Sequence, residues 1–179
     1  PKPEITESAA LSLLARPGQL GIRTRRIAIL VADGVDGAAA LQLHDALAAQ
    51  GAVPRFVGIT MTAAQSTNSE PIEVEVSVEA APSVLWDASI YAAGEASTQA
   101  LANSGQAMEF LKDQYRHCKP LMLLGSAQAL LKKAGIPSDD SDAALLIFND
   151  EELDEALPAF VSALTSHRYF ERETDPPVV

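Results

Sequence analysis

The sequence predicts a doubly wound α/β domain, and three observations carry that reading. Arg26-Ile27-Ala28-Ile29-Leu30-Val31-Ala32 is a continuous apolar run, the pattern of a strand covered on both faces. A helical stretch from Ala38 to Gln50 and a second strand from Val53 to Ile59 then complete a strand–helix–strand unit, which makes the sheet parallel and the crossover right-handed. Further apolar runs alternate with helical patterns as far as Leu164, the layout of a layered α/β sheet with helices on both faces.

Residues 1–23 read as a linker punctuated by Pro1, Pro3, Pro17, Gly18 and Gly21. A short helical piece from Ser8 to Ala15 falls inside it, with Ser8 as its N-cap. Lys2, Arg16, Arg23, Arg25 and Arg26 concentrate positive charge here, a pattern suited to an acidic neighbour. Asp33-Gly34-Val35-Asp36-Gly37 turns the chain after the first strand. The helix that follows places Ala40, Leu43 and Leu47 on one face and ends at Gly51. Ile72 to Val78 alternates apolar and polar residues, which predicts a hairpin or edge strand and a small antiparallel addition over 72–85. Trp86 to Gly94 reads as a buried strand. Ser97 to His117 reads as one long helix with Leu101, Met108, Phe110, Leu111 and Tyr115 facing inward. A strand over 120–124, a helix over 127–134 and a strand over 143–148 follow. The last helix carries Leu153, Leu157, Phe160, Val161 and Leu164 at helical spacing, and Pro158 must lie in its first turn or kink it. The sum is five or six strands, mostly parallel.

A chain of 179 residues, 47% of them apolar, buries roughly 70% of its extended surface and forms one globular domain. The net charge of −11 argues against nucleic acid or an anionic membrane as partner, because both require a cationic face. Acids gather late, at Asp139, Asp140, Asp142 and then at Asp150, Glu151, Glu152, Asp154 and Glu155. They lack the spacing and turn glycine of a calcium loop and read as a solvated rim. One cysteine, Cys118, excludes an intrachain disulfide. No run of 18 apolar residues and no signal peptide is present, so a cytoplasmic location is the expectation. The missing initiator Met and the proline-rich, charged lead-in predict a piece of a longer chain.

The pivotal stretch is Lys119-Pro120-Leu121-Met122-Leu123-Leu124-Gly125-Ser126-Ala127-Gln128, a buried strand, a sharp turn and a helix. Such a turn can present a nucleophile at the carboxyl edge of a sheet. It needs a Cys or Ser, a base within reach and backbone donors for an oxyanion. Ser126 is the one hydroxyl at this turn, and it also reads as the N-cap of a helix closed by Lys132, Lys133, Gly135 and Pro137. His44 sits in mid-helix, while His117 and His167 close helices, where a cation suits the C-terminal dipole. Cys118 precedes the strand and reads as a small buried thiol on the opposite edge. Asp33 and Asp36 are explained by turn chemistry with Gly34 and Gly37, whose spacing fits neither a dinucleotide fingerprint nor a P-loop.

Residues 24–35, Asp87-Ala88-Ser89-Ile90-Tyr91-Ala92-Ala93-Gly94, Lys119-Pro120 and the closing His167-Arg168-Tyr169-Phe170-Glu171-Arg172 resemble the C-terminal domain of large-subunit catalases. The lead-in Ser8 to Leu13 is similar to the stretch joining the catalase core to that domain. The resemblance divides the chain into a linker, 1–23, and a flavodoxin-like domain, 24–179, akin to the PfpI and class I glutamine amidotransferase superfamily. Active members of that superfamily carry a Cys-His elbow and an acid after the first strand. On that pattern Gly125 takes the nucleophile position, Ser126 the histidine position, and Asp36 the place of the acid. The resemblance therefore implies a degenerate elbow, no catalytic residue, and no cofactor or metal in this chain. For the parent it implies haem, hydrogen peroxide and a tetramer. Three roles stay open: a silent accessory domain that stabilises the tetramer and acts on unfolded client proteins as a chaperone, a PfpI-type hydrolase or glyoxalase using Ser126 or Cys118, and a pure docking module whose linker lies on the catalase core.

Overall fold

Six strands hydrogen-bond in the order β3-β2-β1-β4-β5-β6 in a computed structural model that describes residues 8, 10–12, 21–138 and 142–179. The strands are β1 (Arg26–Val31), β2 (Val53–Gly58), β3 (Val76–Ser77), β4 (Ala88–Tyr91), β5 (Leu121–Leu124) and β6 (Leu145–Phe148). The helices are α1 (Gly37–Ala49), α2 (Glu95–Asn103), α3 (Gly105–Arg116), α4 (Ala129–Ala134) and α5 (Leu153–Ser166). Every ladder is parallel. With the two-residue β3 set aside, the order is the flavodoxin-like one, whose topological switch point falls between β1 and β4.

Strand alternation sorts the core into two layers. Ile27, Ile29 and Val31 join Ala88, Ile90, Met122 and Leu124 beneath Ala40, Leu43 and Leu47 of α1 and Ala156, Phe160 and Leu164 of α5. Ala28 and Leu30 join Tyr91, Leu121 and Leu123 on the other face, beneath Leu101, Phe110, Leu111, Leu130 and Leu131 of α2, α3 and α4. Both faces are covered, which is why the strands read as unbroken apolar runs.

Two expectations need correction. Among the described residues no antiparallel strand joins the sheet: β3 pairs with β2 in parallel, and the one antiparallel contact near 72–85 is an isolated bridge from Ala64 to Ile72. The alternation from Ile72 to Val78 reflects an extended segment that buries Ile72 and Val74 in one layer and Val78 in the other. The long helix 97–117 is two helices, because Ser104 leaves helical geometry at ψ 111 and its side chain accepts from the Ala107 N–H to start α3. Pro158 lies past the first turn of α5, so that helix continues without the N–H that a residue there would donate to Asp154. Of the short helical piece, Ser8 accepts from the N–H groups of Leu11 and Ser12. The rest of that piece, most of the linker, and Asp139 and Asp140 lie outside the described residues.

Candidate functional site

β5 delivers Gly125 to the carboxyl edge with φ +50, a left-handed conformation that side-chain-bearing residues adopt at a cost. A 3₁₀ turn, Gly125–Gln128, then leads into α4. The backbone therefore has the sharp strand-to-helix turn of an elbow. The space a nucleophile would use is filled. A Cβ built on Gly125 would collide with the Asp150 carboxylate and lie 2.5 Å from its carboxyl carbon. Asp150 follows β6, the neighbour of β5, so the pairing of these two strands brings it over the turn. The sequence reading did not anticipate this contact, because nothing local links residues 125 and 150.

Ser126 Oγ accepts from the Gly94 N–H at 3.2 Å and shares a hydrogen bond with Thr98 Oγ1 at 3.0 Å. It does not cap α4. Gln128 precedes that helix without a side-chain cap and instead donates Nε2 to the Gly125 carbonyl. The three histidines lie elsewhere. His44, in α1, stacks on Phe56 with ring centroids 4.9 Å apart, while His117 and His167 end α3 and α5. Gly135 ends α4 with φ +74, as its position predicts.

Asp36 is engaged as a structural acceptor through one carboxylate oxygen. Its Oδ1 takes the Ala39 N–H at 3.0 Å as the N-cap of α1 and also the Asn68 side-chain amide at 2.8 Å. Its own N–H donates to Ala93 O. Ser66 Oγ and Asn68 Oδ1 accept the Gly37 and Ala38 N–H groups, so the start of α1 has its donors spent. Asp33 accepts the Gln65 N–H at 2.9 Å.

The switch-point crevice is closed as well. Gly94, with φ +126, presses on the Gly34 carbonyl, and a Cβ there would fall 2.9 Å from the Val35 Cα. Beside it a groove of about 590 Å³ is lined by Glu95, Thr98, Gln99, Ala102, Ser126, Gln128, Ala129 and Lys133, and a smaller one of about 230 Å³ opens by Ala32, Asp33 and Gly58. The walls of the larger groove mix hydroxyls and amides with apolar surface from Ala102 and Ala129, one acid and one base.

Cys118 sits at the amino edge with φ +56, buried, its thiol 3.9 Å from the Arg116 carbonyl. Burial pushes its pKa up, against the pull of Arg172 and Arg168, which leaves less thiolate than an open cysteine has. Beside it, Lys119 is buried, donates Nζ to the Ser83 carbonyl at 2.6 Å, and is pushed down from 10.5 to about 8, chiefly by burial. Among the described residues no group of three His, Cys, Asp or Glu side chains is placed to hold a metal ion, and no helix is long and apolar enough to cross a membrane.

Residues 23–174 match the family described as the C-terminal domain found in long catalases. The chain is 39% identical over 170 residues to catalase HPII of Pseudomonas putida, covering 95% of this chain and 23% of that protein. It is 32% identical over 173 residues to catalase HPII of Pseudomonas aeruginosa, covering 97% and 24%. Against catalase HPII of Mycobacterium avium it is 33% identical over 195 residues, covering 98% and 27%. The chain spans about a quarter of the length of these curated relatives. With these matches over nearly its whole length, the chain belongs to the family of C-terminal domains of long catalases.

Proposed function

We propose that this chain is a catalytically silent accessory domain of a haem-dependent, peroxide-decomposing catalase, and that it stabilises the parent tetramer. The observation that carries the reading is the elbow. Gly125 has no side chain, Asp150 fills the nucleophile's space, and Ser126 spends its hydroxyl on Gly94 and Thr98. Loss of a nucleophile that acts as part of a unit lowers turnover by about 10⁶-fold, which a remaining acid such as Asp36 does not restore.

One observation supports placing the haem outside this chain. Tyr91 is the buried tyrosine, and it is packed inside the second core layer with its ring enclosed by apolar side chains instead of lining an opening. That cofactor belongs, on this reading, to the polypeptide outside the chain. Action on unfolded client proteins is the part of the proposal that rests on kinship with the PfpI and class I glutamine amidotransferase superfamily alone.

Glyoxalase and peptidase assays of the chain beside Ser126→Ala and Cys118→Ala test the silence. Equal, background turnover in all three is the expected result. Turnover that disappears in either variant would establish the PfpI-type enzyme instead. Light scattering from a heat-labile client tests the chaperone role, with an inert protein of equal charge as control: suppression by the chain alone is expected, and equal scattering would remove that role.

A further inference from the structure

A groove opens at the carboxyl edge between two helices that both begin there, α2 after β4 and α4 after β5. That edge is where doubly wound sheets hold ligands, and a volume of about 590 Å³ suits a small molecule. Thr98 Oγ1 and Ser126 Oγ lie 3.0 Å apart in its wall, so one of their two protons sits between them, while Ser126 Oγ also accepts the Gly94 N–H. The other hydroxyl proton has no acceptor among the described residues, although Thr98 is only 6% exposed. Two acceptors are open as well. Gln99 donates Nε2 to Asn103, and Gln128 donates Nε2 to the Gly125 carbonyl, which leaves both Oε1 atoms without a donor among the described residues.

Charge separates along this groove. Glu95 stands in the first turn of α2 and Lys133 in the last turn of α4, places that suit the helix dipoles. Among the described residues neither side chain has an ion-pair partner. Both helices run away from the same edge, so the acid marks the near end and the base the far end. The offset is one to two turns of helix, on the order of 6–10 Å at about 1.5 Å of rise per residue. A lone anion or cation would meet one opposite and one like charge here, and a neutral sugar would leave both charges unmatched. A chain molecule with an amine at one end and a carboxylate at the other matches both. An extended peptide covers about 3.3–3.6 Å per residue, so two or three residues fit the offset.

We propose that this groove binds short, free-ended peptides of two or three residues, with the amine toward Glu95 and the carboxylate toward Lys133. The peptide's backbone carbonyls take the open proton of the Thr98–Ser126 pair, and its N–H groups reach the Gln99 and Gln128 carbonyls. Its side chains lie against Ala102 and Ala129, which favours small apolar ones. The site binds and does not cleave, so it goes beyond the accessory reading and holds independently of it.

Titration of the 179-residue chain with trialanine, followed by the shifts of its amide resonances, tests the site. The expected result is saturable shifts confined to 94–103 and 125–134, with a dissociation constant of about 1 mM. Blocking either end, as N-acetyl-trialanine or trialanine amide, should weaken binding about three- to tenfold. In Glu95→Gln the acetylated and free peptides should bind alike, and in Lys133→Met the amidated and free peptides should. Both side chains are exposed, so the amide spectra of these variants should otherwise match the parent. Absence of saturable shifts, or shifts centred elsewhere, would overturn the proposal. Equal binding of the free and the doubly blocked peptide would overturn it by removing the charged ends from recognition. Binding of trehalose as tight as that of trialanine would overturn it in favour of a sugar, and equally tight binding of free alanine would overturn the length requirement.

Discussion

The carboxyl edge of the sheet is closed by small residues and backbone, whereas the amino edge is joined by long charged side chains. At the carboxyl edge Gly34 touches Gly94, Ser126 ties the β4 and β5 loops together, and Asp150 lies over Gly125. At the amino edge Arg172, 2% exposed, donates to Asp142 at 2.6 and 2.9 Å and to the Lys119 carbonyl at 2.8 Å. Its guanidinium also covers the Tyr115 ring at 4.6 Å. Doubly wound sheets keep their ligands at the carboxyl edge. Here the turn itself is packed and the open space at that edge is displaced to a groove beside Thr98 and Ser126, while long charged side chains tie the other end.

The sharpest way to break this contrast is Arg172→Ala. It leaves Asp142 buried without its partner and is expected to cost about 3–5 kcal/mol in urea unfolding. The double variant Asp142→Asn/Arg172→Met should recover part of that loss. A cost below about 1 kcal/mol would mean the amino edge is not held by this pair.

Gly125→Cys places a thiol at the turn after β5. The left-handed backbone predicts a loss of about 1–2 kcal/mol, to which the collision adds little because Asp150 is an exposed side chain that can turn away, and no gain of glyoxalase turnover. Adding Asp150→Gly should therefore recover little of the loss. Full stability of Gly125→Cys alone, by thermal unfolding, would show that the left-handed backbone at this turn carries no cost.

Ser104→Ala removes the side chain that starts α3 and is expected to cost about 1 kcal/mol, measured by chemical denaturation.

The smallest effect concerns Lys119. Its folded pKa is lowered from 10.5 to about 8, so between those values the unfolded chain holds the proton and the folded chain has released it. This group therefore makes stability rise with pH across that window and contributes no slope below it. Lys119→Met should lack the rise. Melting temperatures of the two proteins between pH 7.5 and 10 check it, and parallel curves would contradict the assignment.

The strands were legible because each is buried on both faces and reads as an apolar run with little ambiguity. The break at Ser104 was visible in principle, since Asn103-Ser104-Gly105 is a stop-and-cap signal, but the apolar spacing of Leu101, Met108 and Leu111 bridges it and reads as one helix. The segment 72–78 misled because alternating burial follows from any extended chain that passes between two core layers, whether or not it pairs. At the site, the glycine at 125 could be read directly. The partner that fills its space comes from the next strand's loop, and parallel strand pairing of that kind leaves no trace in local sequence. The use of Ser126 was likewise hidden, because its acceptors and donors lie on the β4 side, at Gly94 and Thr98.

The central claim is that this chain supports a catalase without doing its chemistry. The most direct measurement removes residues 23–179 from the full-length protein and follows peroxide turnover per haem and sedimentation together as urea is raised. The account predicts unchanged turnover in the absence of urea and a tetramer that dissociates at lower urea than the full-length protein. Turnover that falls while the tetramer stays intact would contradict it.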